Sequence, residues 1–157
     1  MSVELWYNWK EMKRDTNTLC REIILDKFNP EVIVGISRGG LLPGVMISHW
    51  MEKPFKPIKA ALRDFPEWED YLPRTTDKRI LIVDDICDSG KTFEKIHKHI
   101  VEKRDVSNRD NLEVRFATLW WNNEVEFKPH YYVQECAKDS EDIWIHFPWE
   151  CWWNAPV

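Results

Sequence analysis

The chain has 157 residues, 43% hydrophobic and 31% charged, with a formal net charge of −5. That length suits one domain with a proper core, and the acidic balance argues against nucleic acid or an anionic membrane as partner. No apolar run approaches the ~18–20 residues of a membrane span. The opening Met1-Ser2-Val3-Glu4-Leu5-Trp6 lacks the basic and apolar regions of a signal peptide, so a cytoplasmic location is expected.

Residues 9–27 carry Trp9, Met12, Thr16, Leu19, Cys20, Ile23 and Ile24 at three- and four-residue spacing, which predicts an amphipathic helix ended by Asn29-Pro30. Glu31 to Ile36 is the next strand, and it runs into the turn Ser37-Arg38-Gly39-Gly40. Leu41, Leu42, Val45, Met46, His49 and Trp50 then pair at helical spacing. Paired glycines allow close backbone approach to a ligand, and Arg38 adds a cation suited to phosphate. Phe55 to Leu62 is a weaker strand, and 63–78 is a long polar loop with two prolines, a candidate lid.

The most informative stretch is Ile80-Leu81-Ile82-Val83-Asp84-Asp85-Ile86-Cys87-Asp88-Ser89-Gly90-Lys91-Thr92. An apolar run of this kind suits a strand buried on both faces of a parallel sheet. The acidic pair then sits at the carboxyl end of that strand, where such sheets bind ligands. The turn after it opens a helix over 91–104, whose N-terminus suits a phosphate. A nucleotide-triphosphate loop of the form G-x-x-x-x-G-K-[ST] is excluded because its first glycine would fall on Asp85. Capping of the helix by Asp88 or Ser89 is the purely structural reading, and it leaves the adjacent acids unexplained.

Asp105 to Asn111 is a charged turn, Glu113 to Trp121 another strand, Tyr131 to Val133 a short one and Ile143 to Phe147 the last. Strands alternating with helices predict an α/β fold whose central sheet is mostly parallel and flanked by helices. The four cysteines, Cys20, Cys87, Cys136 and Cys151, form no C-x-x-C pair, so zinc and dithiol chemistry are not expected.

Val83-Asp84-Asp85 through Thr92 resembles the phosphoribosyl pyrophosphate (PRPP) motif of the type I phosphoribosyltransferases. The resemblance implies that Asp84 and Asp85 engage the ribose hydroxyls and a Mg²⁺ ion, with Asp85 as the metal residue. It implies that Asp88, Ser89, Gly90, Lys91 and Thr92 wrap the 5′-phosphate, and that Ser37, Arg38, Gly39 and Gly40 bind pyrophosphate. In that family the peptide before the matching arginine can be cis. Asp88 is then the candidate general base. Trp6-Tyr7-Asn8-Trp9 and the tail Asp142 to Glu150 are similar to the xanthine–guanine and hypoxanthine enzymes of that family, so that Trp144 stacks on a purine and the Ile145 carbonyl reads its edge. The resemblance thus implies a single domain over 1–157 with a hood-like base-binding segment from about 120 to 157.

One departure concerns the base. Family members carry a lysine just after the fourth strand, bound to the purine 6-oxo group; here Asn122 stands in that place. An amide both donates and accepts, so a 6-amino base or a non-purine stays open. The implied reaction joins a purine (guanine, xanthine or hypoxanthine favoured) to PRPP with release of pyrophosphate, as in purine salvage. A PRPP- or nucleotide-binding regulator of the same fold without turnover is the alternative. A receiver-like phosphotransferase would need a phosphoacceptor aspartate at another strand end, and the Ser37 turn supplies none. Trp152-Trp153 suggests a homo-oligomer, dimer or tetramer.

Overall fold

A computed structural model describes residues 1–59 and 72–157. In chain order the elements are β1 (Val3–Trp6), α1 (Trp9–Leu25), β2 (Val32–Ile36), α2 (Leu41–Met51), β3 (Phe55–Ile58), β4 (Arg79–Cys87), α3 (Lys91–Glu102), α4 (Val106–Arg109), β5 (Glu113–Asn122), β6 (Tyr131–Cys136) and β7 (Ile143–His146). Five strands form a parallel sheet in the order β3-β2-β4-β5-β6, with β4 at its centre. The alternation along β4 explains the position of the core. Leu81 and Val83 point to the side covered by α1 and α2, among Met12, Leu19, Ile23, Ile33 and Ile47. Ile80 and Ile82 point to the side covered by α3, among Phe93, Ile96 and Ile100. Each such buried aliphatic contributes roughly 1.5–3 kcal/mol, so the strand is held from both faces.

Helix α1 starts at a reciprocal cap. Glu11 N–H donates to Asn8 Oδ1 at 2.8 Å and Asn8 N–H to Glu11 Oε2 at 2.9 Å. Its buried stripe is Met12, Thr16, Leu19, Cys20 and Ile23, while Trp9 and Ile24, expected on that stripe, are exposed. Helix α2 differs more. It seats Pro43, Gly44 and Ile47 on the sheet and leaves Leu42, Val45 and Trp50 exposed. The reason is close approach: a Cβ on Gly44 would lie 3.3 Å from the Gly35 backbone and 2.9 Å from the Phe55 ring. A small-residue face brings the helix nearest to the strand, and hydrophobicity alone selects the wrong face.

The expected turn at 105–111 contains the short helix α4, capped by Asp105, whose carboxylate accepts from Asn108 N–H at 3.0 Å. Strand β3 ends at Ile58. The rest of the predicted 55–62 strand, and residues 63–71 of the candidate lid, fall largely or wholly outside the described residues. Residues 72–78 are anchored by Arg104, a buried guanidinium that donates to Asp77 O and, at 2.8 Å, to Arg74 O.

Strand β1 was not expected from sequence. It pairs in parallel with β7 in a separate two-stranded sheet, Glu4 opposite Trp144 and Trp6 opposite His146. No helix among the described residues is long and apolar enough to cross a membrane.

Candidate active site

The carboxyl end of β4 carries Asp84 and Asp85 while the strand is still paired to β5. Asp84 Oδ1 accepts from Asp85 N–H at 2.9 Å, and Asp85 Oδ1 from Ile86 N–H at 2.7 Å. Desolvation, then repulsion from Asp85, pushes the Asp84 carboxyl well above the usual range. Desolvation likewise pushes Asp85 up to about 6. Two acids held this close favour a shared positive charge. Among the described residues no group of three His, Cys, Asp or Glu side chains forms a metal cage. A pair of hard oxygen donors fits Mg²⁺, which keeps water and substrate oxygens as its other ligands.

The Ser37–Gly40 turn leaves β2 beside this pair. The Ser37–Arg38 peptide is cis. Ser37 N–H donates to Ile58 O and Gly40 N–H to Ile36 O, each at 2.7 Å. A Cβ on Gly39 would overlap the Asp85 carboxylate, and one on Gly40 would overlap the Val83 carbonyl. The two glycines are therefore what lets the turn lie against the acidic strand end. Arg38 is exposed and lines a cavity of about 840 Å³ with Gly39, Trp144, Trp149 and Glu150.

The Asp88–Thr92 segment turns into α3 through Gly90, whose φ of 82° places it in the left-handed region. The Phe127 side chain fills the space a Cβ would take there. Gly90 makes no side-chain cap, so the helix N-terminus keeps its N–H groups for an anion, apart from Lys91 N–H, which donates to Ser89 Oγ at 3.3 Å. Asp88 does not cap the helix either. Its Oδ2 accepts from Lys138 Nζ at 2.9 Å and its Oδ1 from Asn122 Nδ2 at 3.2 Å.

Asn122, expected to face the base, is fully buried. Its Nδ2 donates to Asp88, and its Oδ1 accepts from Lys138 N–H at 3.1 Å and Glu124 N–H at 3.3 Å. The amide joins the end of β5 to Asp88 and to the turn after β6. Trp144 is 55% exposed on β7. The Ile145 side chain is in the core. Its carbonyl is out of phase with Asp142 O and His146 O, which accept from Val3 and Tyr7 N–H on the β1 side, so it faces the open edge of the small sheet.

Lys138 was not singled out by sequence. Its ammonium lies 5.8 Å from the Trp144 ring centre and lines a cavity of about 480 Å³ with Glu4, Asp139, Asp142, Trp144 and His146. His146, also unforeseen, stacks on Trp6 with ring centres 4.0 Å apart. Both depend on β1 and on the turn at 137–142, for which no local pattern gave a signal.

A parallel α/β sheet with an acidic strand end between two turns suited to anions is the kind of site at which such sheets bind ligands. A family model described as the phosphoribosyl transferase domain matches residues 2–156, and the chain belongs to that family. A xanthine–guanine phosphoribosyltransferase of Cereibacter sphaeroides is 29% identical over 91% of this chain and 84% of the relative. A hypoxanthine–guanine phosphoribosyltransferase of Schizosaccharomyces pombe is 26% identical over 94% of this chain and 89% of the relative. The crystal structure of a purine phosphoribosyltransferase from Pyrococcus horikoshii superposes with a TM-score of 0.75 at 29% identity, covering 98% of this chain and 96% of that one.

Proposed function

We propose that the chain transfers the 5-phosphoribosyl group of PRPP to a purine, with release of pyrophosphate. The observation that carries this reading is the packing of the Gly39 turn against the Asp85 carboxylate. It brings the Ser37–Gly40 turn beside the acidic pair, which supports a pyrophosphate site next to carboxylates suited to ribose hydroxyls. The α3 N-terminus lies one short turn further on, for the 5′-phosphate.

Asp84 and Asp85 hold the ribose hydroxyls, and Asp85 would hold Mg²⁺. Bound there, the ion would supply positive charge to the leaving pyrophosphate. Ser37, Arg38, Gly39 and Gly40 hold the pyrophosphate, while Asp88 through Thr92 hold the 5′-phosphate. The bond from C1 to the pyrophosphate oxygen breaks with its electron pair going to pyrophosphate, through an oxocarbenium-like transition state. A ring nitrogen of the purine forms the new bond to C1. The proton displaced from the purine passes to the Asp88 carboxylate, which is suited to general-base work by type and place. Trp144 supplies the stacking platform and the Ile145 carbonyl an edge acceptor, so residues from about 120 to 157 act as a hood over the base. Asn122 positions Asp88. The exposed Trp152 and Trp153 pack a second copy of the chain, which light scattering tests.

The decisive assay mixes PRPP, Mg²⁺ and each of a panel of nucleobases and measures pyrophosphate release. Base-dependent release with purines is expected. Tight PRPP binding with no release for any base would replace the enzyme reading with that of a PRPP-binding regulator.

A further inference from the structure

The Lys138 ammonium is placed between the two groups on which the base half of the reaction depends. It is 2.9 Å from Asp88 Oδ2 and 5.8 Å from the centre of the Trp144 ring. The lysine side chain is 21% exposed and the Asp88 side chain 49% exposed. An ion pair this open to solvent stabilises a fold by only ~0–1 kcal/mol, so stability alone does not account for it.

Two further facts bear on what the ammonium does. Aromatic rings stacked on one another have centres about 4.5–7 Å apart, and Lys138 Nζ lies within that range of the Trp144 ring. A base stacked on that face of Trp144 would compete with the ammonium for the same space. In addition, Lys138 is the one Lys or Arg among the described residues lining the 480 Å³ cavity, where Glu4, Asp139 and Asp142 supply negative charge. An oxo group entering that cavity meets one lysine ammonium as its cationic donor. The Asn122 amide is buried and already engaged at both ends.

We propose that Lys138 is the base-reading residue of this chain, and that it hands over from Asp88 to an oxo group of the purine stacked on Trp144. The proposal rests on the phosphoribosyl-transfer reading above. In the resting protein the ammonium neutralises Asp88. When an oxo-purine stacks, the flexible lysine stem swings the ammonium to the edge of the base, where the oxo oxygen accepts from it. Asp88 is then left to receive the proton from the ring nitrogen. An amino group at that edge has no lone pair to offer an ammonium, so a 6-aminopurine neither attracts the lysine nor releases Asp88. The turn after β6 thus supplies the donor that the end of β5 lacks.

The test compares wild type with Lys138→Met, Lys138→Gln and Lys138→Arg, using hypoxanthine, guanine and adenine, and reads KM for base, KM for PRPP and kcat. Wild type is expected to prefer the oxo-purines. In Lys138→Met and Lys138→Gln the KM for hypoxanthine and guanine rises about ten- to a hundredfold, the span for one hydrogen bond to a charged group. The oxo-over-amino ratio narrows, KM for PRPP stays within about twofold, and Lys138→Arg recovers part of the loss. The Lys138 side chain is 21% exposed and the Gln variant keeps a polar side chain there; a thermal melt of each variant identifies those that remain folded for assay. If wild type turns over but the neutral variants keep its base KM and its oxo-over-amino ratio, the lysine assignment fails. A kcat loss equal for all three bases, with base KM unchanged, also overturns it, because the ion pair would then only position Asp88. If wild type releases no pyrophosphate with any base, the transferase reading fails instead.

Discussion

Gly39 and Asp85 adjoin so closely that no side-chain carbon fits between the turn and the carboxylate. The contact joins β2 to β4 at the carboxyl edge of the sheet, and both halves of the proposed PRPP site depend on it. Gly39→Ala should displace Asp85 or open the turn. Its φ does not require glycine, so the expected damage is local. We expect KM for PRPP to rise about tenfold or more, equivalent to at least ~1.4 kcal/mol, with a change in melting temperature of only a few degrees. Isothermal titration with Mg²⁺-PRPP and a thermal melt on the same sample measure both. An unchanged affinity would remove this contact from the site.

Trp144 is more than half exposed, and the hydrogen bonds of β7 are made by its backbone. Trp144→Ala should leave the fold intact and remove the stacking surface. Stacking of a base on an aromatic side chain is worth ~1–3 kcal/mol, so KM for the base should rise between about five- and a hundredfold. Trp144→Phe should recover most of it. Steady-state kinetics at saturating PRPP give the comparison, and a base KM within about twofold of wild type in the alanine variant would exclude the platform role.

The parts of the fold and site that were legible in the sequence are those with a local cause. The β4 run, the Ser37–Gly40 turn and the α3 start are contiguous, and their apolar period or glycine placement is set by their own backbone. The parts that were not legible depend on partners far along the chain. Strand β1 exists because β7 pairs with it, about 140 residues later. The outward face of α2 reads as core because Leu42, Val45 and Trp50 are the large residues, whereas the helix packs through Gly44 against Gly35. Asn122 matches a base-reading position by its place at the end of β5, but its side chain lies beneath Asp88, and only the turn at 137–142 determines that.

Asn122 yields a stability prediction. Asn122→Ala leaves Lys138 N–H and Glu124 N–H without their buried acceptor. A buried donor left unsatisfied costs ~1–3 kcal/mol, so a loss of about 2 kcal/mol or more is expected. For a chain of this size that is a drop in melting temperature of roughly 4–8 °C. Asn122→Lys should be worse, since the position is fully buried and an ammonium there loses its hydration. Calorimetry of the two variants decides the order; a lysine variant as stable as wild type would mean that the pocket opens to admit the side chain.

Replacing Asp88 by Asn keeps the shape of the acceptor and removes its charge. If Asp88 takes the proton from the base, kcat should fall about 10²- to 10⁴-fold, while KM for PRPP changes little. Asn122 still finds a side-chain oxygen at that place, so the fold should survive. A rate within about threefold of wild type would reassign Asp88 to a structural role.

The last prediction concerns pH and lies away from the site. His130 Nδ1 accepts from Phe116 N–H at 3.0 Å, which requires that nitrogen to be unprotonated. Desolvation of the ring and the neighbouring Arg115 guanidinium hold its pKa below the ordinary histidine value. The unfolded chain, with a histidine pKa near ~6.5, then binds more protons than the folded one in the window below that value. Stability rises with pH wherever the unfolded state binds more protons. The contribution of His130 is therefore fully present above about pH 6.5 and is lost as pH falls toward the depressed folded pKa. His130→Asn offers an amide oxygen to Phe116 N–H without titrating. Thermal melts should show wild type losing stability between neutral and mildly acidic pH more steeply than the variant, and parallel curves would mean that the imidazole keeps its proton balance on unfolding.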